Sequence, residues 1–233
     1  HGQASFGTDD YDALSTRGHE QAAITADYLL RSGVVIDAVY SGSLKRQQQT
    51  AQAIVERFNS TYGEAPEIII DPGFNELENE QQISRLAPIL QEKNQQVREL
   101  LKTAHQSKKD FQKVLKIVFN HWVLEQPDLA GLESWPVFSS RVKNSLADVI
   151  HQQGSGKTIV VSTSGGVIAT LVAQVLNLPD SGVYSLFEPV QNTSITRLLY
   201  NASGDVSLSC FNDCGYLRAA QIEAGRTDLV TYR

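Results

Sequence analysis

The chain has 233 residues, of which 41% are hydrophobic and 20% charged, the profile of a globular protein with one large domain or a core domain carrying an insertion. Its net charge of −6 gives no general attraction for nucleic acid or an anionic membrane, so any phosphate it handles must be held by a local cationic pocket. No run approaches the length of a membrane span and no signal peptide is evident, which points to a cytoplasmic protein.

Gly18 to Arg31 reads as a helix with Ala22, Ile24, Ala26, Tyr28, Leu29 and Leu30 at its apolar positions, ended by Ser32-Gly33. Val34–Ser43 is an apolar run dissolving into a small-residue turn, and is predicted to be a buried strand and a loop. Leu44 to Phe58 predicts a second helix. Glu67–Glu76 predicts another buried strand, stopped by Asp71-Pro72-Gly73. From Glu78 to Glu125 the character changes: Ile83, Leu86, Leu90, Val97 and Leu101 recur at helical spacing, then Phe111, Val114, Leu115, Val118 and Trp122. Ser107 with Asp110 reads as a capping signature between the two helices. A helical insertion over about 78–135, within a single domain spanning 1–233, accounts for this.

Phe138–His151 then reads as a helix, Lys157–Thr163 as a strand, Gly165–Leu178 as a helix, and Ser194–Asn201 with Val206–Asn212 as a hairpin across Ala202–Asp205. Strands alternating with helices predict an α/β fold: a three-layer α/β/α arrangement, its sheet mostly parallel and covered on both faces, plus the helical subdomain. In such sheets chemistry gathers at the strands' carboxyl ends, where four polar clusters fall: His1–Ser5, Ser41–Arg46, Asn75–Glu76 and Thr163–Gly166.

Other features carry less. Gly154–Thr158 (GSGKT) resembles a phosphate loop, but His151 stands where its first Gly belongs and the order is helix, loop, strand, which predicts a plain connector. Cys210 and Cys214 form neither a zinc pattern nor a disulfide framework. The Asn-x-Ser/Thr triplets at Asn59, Asn192 and Asn201 are read as chance. His19, His105, His121 and His151 fall on predicted helices and are assigned structural or surface roles. The chain contains no methionine, so residues preceding His1 are expected in the native product.

The clusters combine chemically. A neutral imidazole at His1 can attack phosphorus and hold the phosphoryl group. Arg46 offers a planar fork suited to phosphate oxygens. A carboxyl such as Glu76, set beside a bound phosphate, can hold a proton and give it to a leaving alkoxide. The N–H groups of the Thr163–Gly166 turn open a helix and would favour an anion.

Together HGQAS, LSTRGHEQA (Leu14–Ala22), YSGSLKRQQQTA (Tyr40–Ala51), FNE (Phe74–Glu76) and VVSTSGGVI (Val160–Ile168) resemble the ordered signature blocks of the histidine phosphatase superfamily, the phosphoglycerate-mutase-like proteins. The resemblance implies a phosphomonoester hydrolase with His1 as nucleophile, preceded by an Arg, Arg46 as a second phosphate-binding Arg, Glu76 as proton donor, and Gln3 and Ser5 lining the phosphate pocket. It implies no cofactor and no metal, and a small phosphorylated metabolite or a phosphoprotein as partner. The family carries a second His before the late Gly, where this chain has Ser164 in STSGG. Losing such a charged donor costs about 2–4 kcal/mol of transition-state stabilisation, or about 10²–10³-fold in rate. Ser164 and the Gly165 N–H remain to hold one phosphoryl oxygen. A catalytically weak or inactive phosphate-ester binder is therefore the rival reading. A mutase ranks lower, and a docking role for the helical insert is a third.

Overall fold

The computed structural model describes residues 1–5, 12–104 and 106–232, and for Lys108 the backbone alone. His105, expected on a helix, lies outside them. In chain order the elements are α1 (Thr16–Arg31), β1 (Ala38–Ser41), α2 (Lys45–Tyr62), β2 (Ile68–Ile70), α3 (Asn79–Lys93), α4 (Gln95–Thr103), α5 (Lys108–Glu125), α6 (Trp135–Gln153), β3 (Ile159–Ser162), α7 (Gly165–Val175), α8 (Val183–Phe187), β4 (Ile195–Tyr200), β5 (Val206–Asp213) and α9 (Gly215–Glu223).

β1 lies between β2 and β3 and is parallel to both, with Val39 opposite Ile68 on one side and Val160 on the other. The two-residue period of a strand then sorts side chains between two cores. Val39 and Val160 point to Ala26 of α1 and Ala51, Ile54 and Phe58 of α2. Ala38, Tyr40, Ile159 and Val161 point to the opposite face, to Phe138, Val142 and Val149 of α6 and Val167 of α7. This is the covered, mostly parallel sheet that the alternating pattern predicts. β4 and β5 pair antiparallel, and their turn is closed by Asn201 Oδ1 accepting from the Ser203 and Asp205 N–H groups at 2.9 and 3.0 Å.

Three expectations need correction. Glu67–Glu76 does not form a long buried strand: β2 has three residues at the sheet edge, and Ile69 and Ile70 are each 43% exposed. An apolar run signals strand preference, but an edge strand has only one neighbour to cover it. The chain then turns where Asp71 Oδ1 accepts from Gly73 N at 2.8 Å, and Phe74 swings into the core. Val34–Asp37 precedes β1 as a loop, with Val35 76% exposed. And α1 begins at Thr16, because Ser15 caps it by accepting from Gly18 N at 3.0 Å.

Helices α3–α5 bury Leu86, Val97, Val114, Leu115, Val118 and Trp122 at the predicted spacing, while Phe111 stays at the surface. Ser107 Oγ accepts from Asp110 N at 3.2 Å, the expected cap of α5. Trp122 meets Trp135 edge-on at 5.4 Å and donates its indole N–H to Glu133 O at 2.8 Å, so these helices share one core with α6. Gly154–Thr158 is the loop from α6 to β3, and Lys157 Nζ pairs with Asp37 at 2.9 Å. Among the described residues no helix is long and apolar enough to cross a membrane.

Candidate active site

The carboxyl ends of β1, β2 and β3 lie on one side of the sheet, and residues just past β1 and β3 meet His1 there. The main chain of His1 is held from two sides: its nitrogen donates to Thr163 O, just past β3, at 3.0 Å and its carbonyl accepts from Thr193 N, just before β4, at 2.9 Å. Gly2 N donates to Thr50 Oγ1 at 3.0 Å.

The imidazole is held in one tautomer. Nδ1 lies 2.7 Å from Gly2 O, a carbonyl that can only accept, so Nδ1 carries the hydrogen. Nε2 lies 3.3 Å from Arg46 Nε, which can only donate, so Nε2 presents a lone pair. Arg46 stands in the first turn of α2 with its side chain 13% exposed. Its Nη1 donates to Asp12 Oδ1 at 2.5 Å, and Asp12 Oδ2 accepts from Lys45 N at 2.7 Å. Asp12 thus aligns the guanidinium against His1.

Glu76 and Ser164 sit where α7 begins. Glu76 is buried. Each of its carboxylate oxygens lies 3.1 Å from Gly166 N, and Oε1 also accepts from Leu77 N at 3.0 Å. The Gly166 N–H at the start of α7 is thus seated on this carboxylate, while Gly165 N makes no hydrogen bond to Glu76. The loop bearing Glu76 is braced by Arg141, whose Nη1 donates to Gly73 O at 2.8 Å and Asn75 O at 3.0 Å while its fork pairs with Glu133. Ser164 is buried and its Oγ accepts from Gln47 Nε2 at 2.8 Å.

Gly165, Ser164, Thr163 and His1 line a small pocket together with Gln191, Asn192 and Ser194. Arg46, which meets His1, and Glu76, seated on the Gly166 N–H, both lie outside that pocket's lining. Gln3 Oε1 accepts from Ser15 Oγ at 3.1 Å, at the cap of α1, and Ser5 N donates to Ala13 O at 2.8 Å. His19 and His151 are exposed and His121 half-buried, all on helices away from these contacts. The structure also brings in residues the sequence reading passed over. Asp12 carries no sequence signal beyond lying in a polar stretch. Gln47 does: with Thr50, Ala51, Ile54 and Phe58 it repeats at helical spacing along the buried face of α2, an unusual place for an amide. Among the described residues no cluster of three or more His, Cys, Asp or Glu side chains could hold a metal ion.

Comparison with curated protein sequences finds no match. Solved structures do resemble the chain. A mycobacterial glucosyl-3-phosphoglycerate phosphatase is 20% identical with a TM-score of 0.61, covering 91% of this chain and 95% of its own. An Entamoeba histolytica phosphoserine phosphatase, in complex with 3-phosphoglyceric acid, is 20% identical with a TM-score of 0.63, covering 93% and 95%. A putative α-ribazole-5'-phosphate phosphatase from Escherichia coli is 21% identical with a TM-score of 0.56, covering 86% and 84%. At these identities the likeness is one of fold. The family described as the histidine phosphatase superfamily (branch 1) matches residues 1–213. With that match running from His1 through β5, the chain belongs to the histidine phosphatase superfamily.

Proposed function

We propose that the protein is a phosphomonoester hydrolase working through a phosphohistidine at His1, on a small phosphorylated metabolite or a phosphoprotein. The observation that carries this reading is the tautomer of His1: Gly2 O takes Nδ1 and Arg46 faces Nε2, so a nucleophilic lone pair points at a cation that phosphate oxygens would also seek. Nε2 attacks phosphorus in line, the bond to the leaving oxygen breaks, and Glu76 gives that oxygen a proton. Arg46 offsets charge on the equatorial oxygens, while the Ser164 hydroxyl and the Gly165 N–H hold one of them. Glu76 then takes a proton from the water that attacks phospho-His1, releasing inorganic phosphate and the free imidazole. Positive charge comes from guanidinium, so the reaction runs without a metal ion. The names of the structural relatives, each a phosphatase of a small phosphate ester, support hydrolysis of a similar class of substrate.

An aryl phosphate assay tests this. Hydrolysis that is lost in His1→Ala supports the enzyme. Phosphate binding without turnover in the intact protein supports instead a binder on the same fold, the reading that Ser164 keeps open.

A further inference from the structure

Gln47 follows Arg46 in sequence but faces the protein interior, where it is completely buried. Its amide fits only one way round. Phe74 O is a carbonyl that accepts and never donates, so the atom 3.1 Å from it is Nε2. The other hydrogen on Nε2 goes to Ser164 Oγ at 2.8 Å. One lone pair of that hydroxyl is then taken, and its own hydrogen is left to donate. Among the described residues no protein group accepts it. Gln47 Oε1, in turn, is buried with no partner. A side chain kept only to fill space would not carry an orphan acceptor, since Met occupies nearly the same volume without one.

We infer that Gln47 is a positioning residue for Ser164, occupying the acceptor side of the hydroxyl so that its O–H is presented as a donor to a phosphoryl oxygen. An unrestrained serine hydroxyl rotates among staggered positions and accepts as readily as it donates. Phosphoryl oxygens only accept. A hydroxyl fixed as donor therefore supplies part of what a cationic side chain at position 164 would supply. The inference rests on the phosphatase reading above and assigns a further residue to the same site.

The test is a double-mutant cycle of Gln47→Met and Ser164→Ala, read by kcat and KM on an aryl phosphate, by vanadate inhibition, and by Tm. Gln47→Met is expected to lower kcat about three- to tenfold and weaken vanadate by a similar factor, with KM little changed. Its Tm should hold or rise, because the orphan acceptor is gone while Phe74 O keeps its bond from Thr163 Oγ1 at 2.7 Å. Added to Ser164→Ala, it should change neither kcat nor vanadate binding further. A Gln47→Met protein with lowered Tm and intact kcat overturns the inference, as do effects that multiply in the double variant. If His1-dependent hydrolysis accompanies either result, the phosphatase reading stands alone. A wild-type protein that neither hydrolyses the ester nor binds vanadate refutes both. If it binds without turnover, vanadate affinity reads the same cycle.

Discussion

Gly18→Ala places a methyl group where two backbones meet. The new Cβ would lie 2.1 Å from Gln3 O and 3.0 Å from Gln3 C and N, whereas ordinary contact begins at 3.4 Å. Parting the backbones therefore requires a shift of about 1.3 Å, the difference between 3.4 and 2.1 Å. Neither side yields easily: Gln3 is tied to α1 through Gln21 Oε1 at 2.8 Å and Ser15 N at 2.9 Å, and α1 packs on α2 through Ala26. At an open helical site the substitution would stabilise by about 1 kcal/mol. Here overpacking costs about 1–3 kcal/mol, which cancels or outweighs that gain and leaves a net loss of up to about 2 kcal/mol. The displaced segment also carries His1, and a misplacement of about 1 Å costs on the order of 10²-fold in turnover. Urea denaturation and aryl phosphate hydrolysis read the two effects separately. A variant at least as stable as the wild type with full turnover would show that the seat on α1 does not set the position of His1.

Arg46→Lys keeps the charge but loses the fork, and should lower kcat by about 10²-fold where His1 still binds phosphate, measured by steady-state kinetics. Asp12→Asn removes a negative charge beside the guanidinium while an oxygen remains for Lys45 N; inorganic phosphate should inhibit about two- to fivefold more tightly at low salt, and weaker inhibition would show that alignment of Arg46 outweighs charge. Glu76→Gln should slow alkyl phosphates by about 10²–10⁴-fold and p-nitrophenyl phosphate much less, because a good leaving group needs no proton; equal losses on both would remove Glu76 as the acid. Dialysis against a chelator should leave hydrolysis unchanged, and activity restored only by added metal would contradict charge neutralisation by arginine.

Much of the fold was legible because the alternation of apolar runs with helical spacing is a direct record of a covered parallel sheet. The ordered polar clusters are also where the strands end, so His1, Arg46, Glu76 and Ser164 were readable as candidates. What escaped was set by tertiary context. Ile69 and Ile70 look buried in sequence, yet their strand lies at an edge. Glu76 reads as a proton donor from its place beyond an apolar run, but only the fold seats it on the Gly166 N–H. The roles of Asp12 and Gln47 depend on partners that are distant in sequence: Asp12 reaches 34 positions to Arg46 and Gln47 reaches 117 to Ser164.

The most direct measurement is capture of the covalent intermediate. The protein is mixed with phosphate-labelled ester, quenched in alkali within a turnover, and digested for peptide mapping. The proposed chemistry predicts acid-labile phosphate on the His1 ring, absent from His1→Ala. Turnover that proceeds with no phosphate on His1, or with phosphate on another residue, would contradict it.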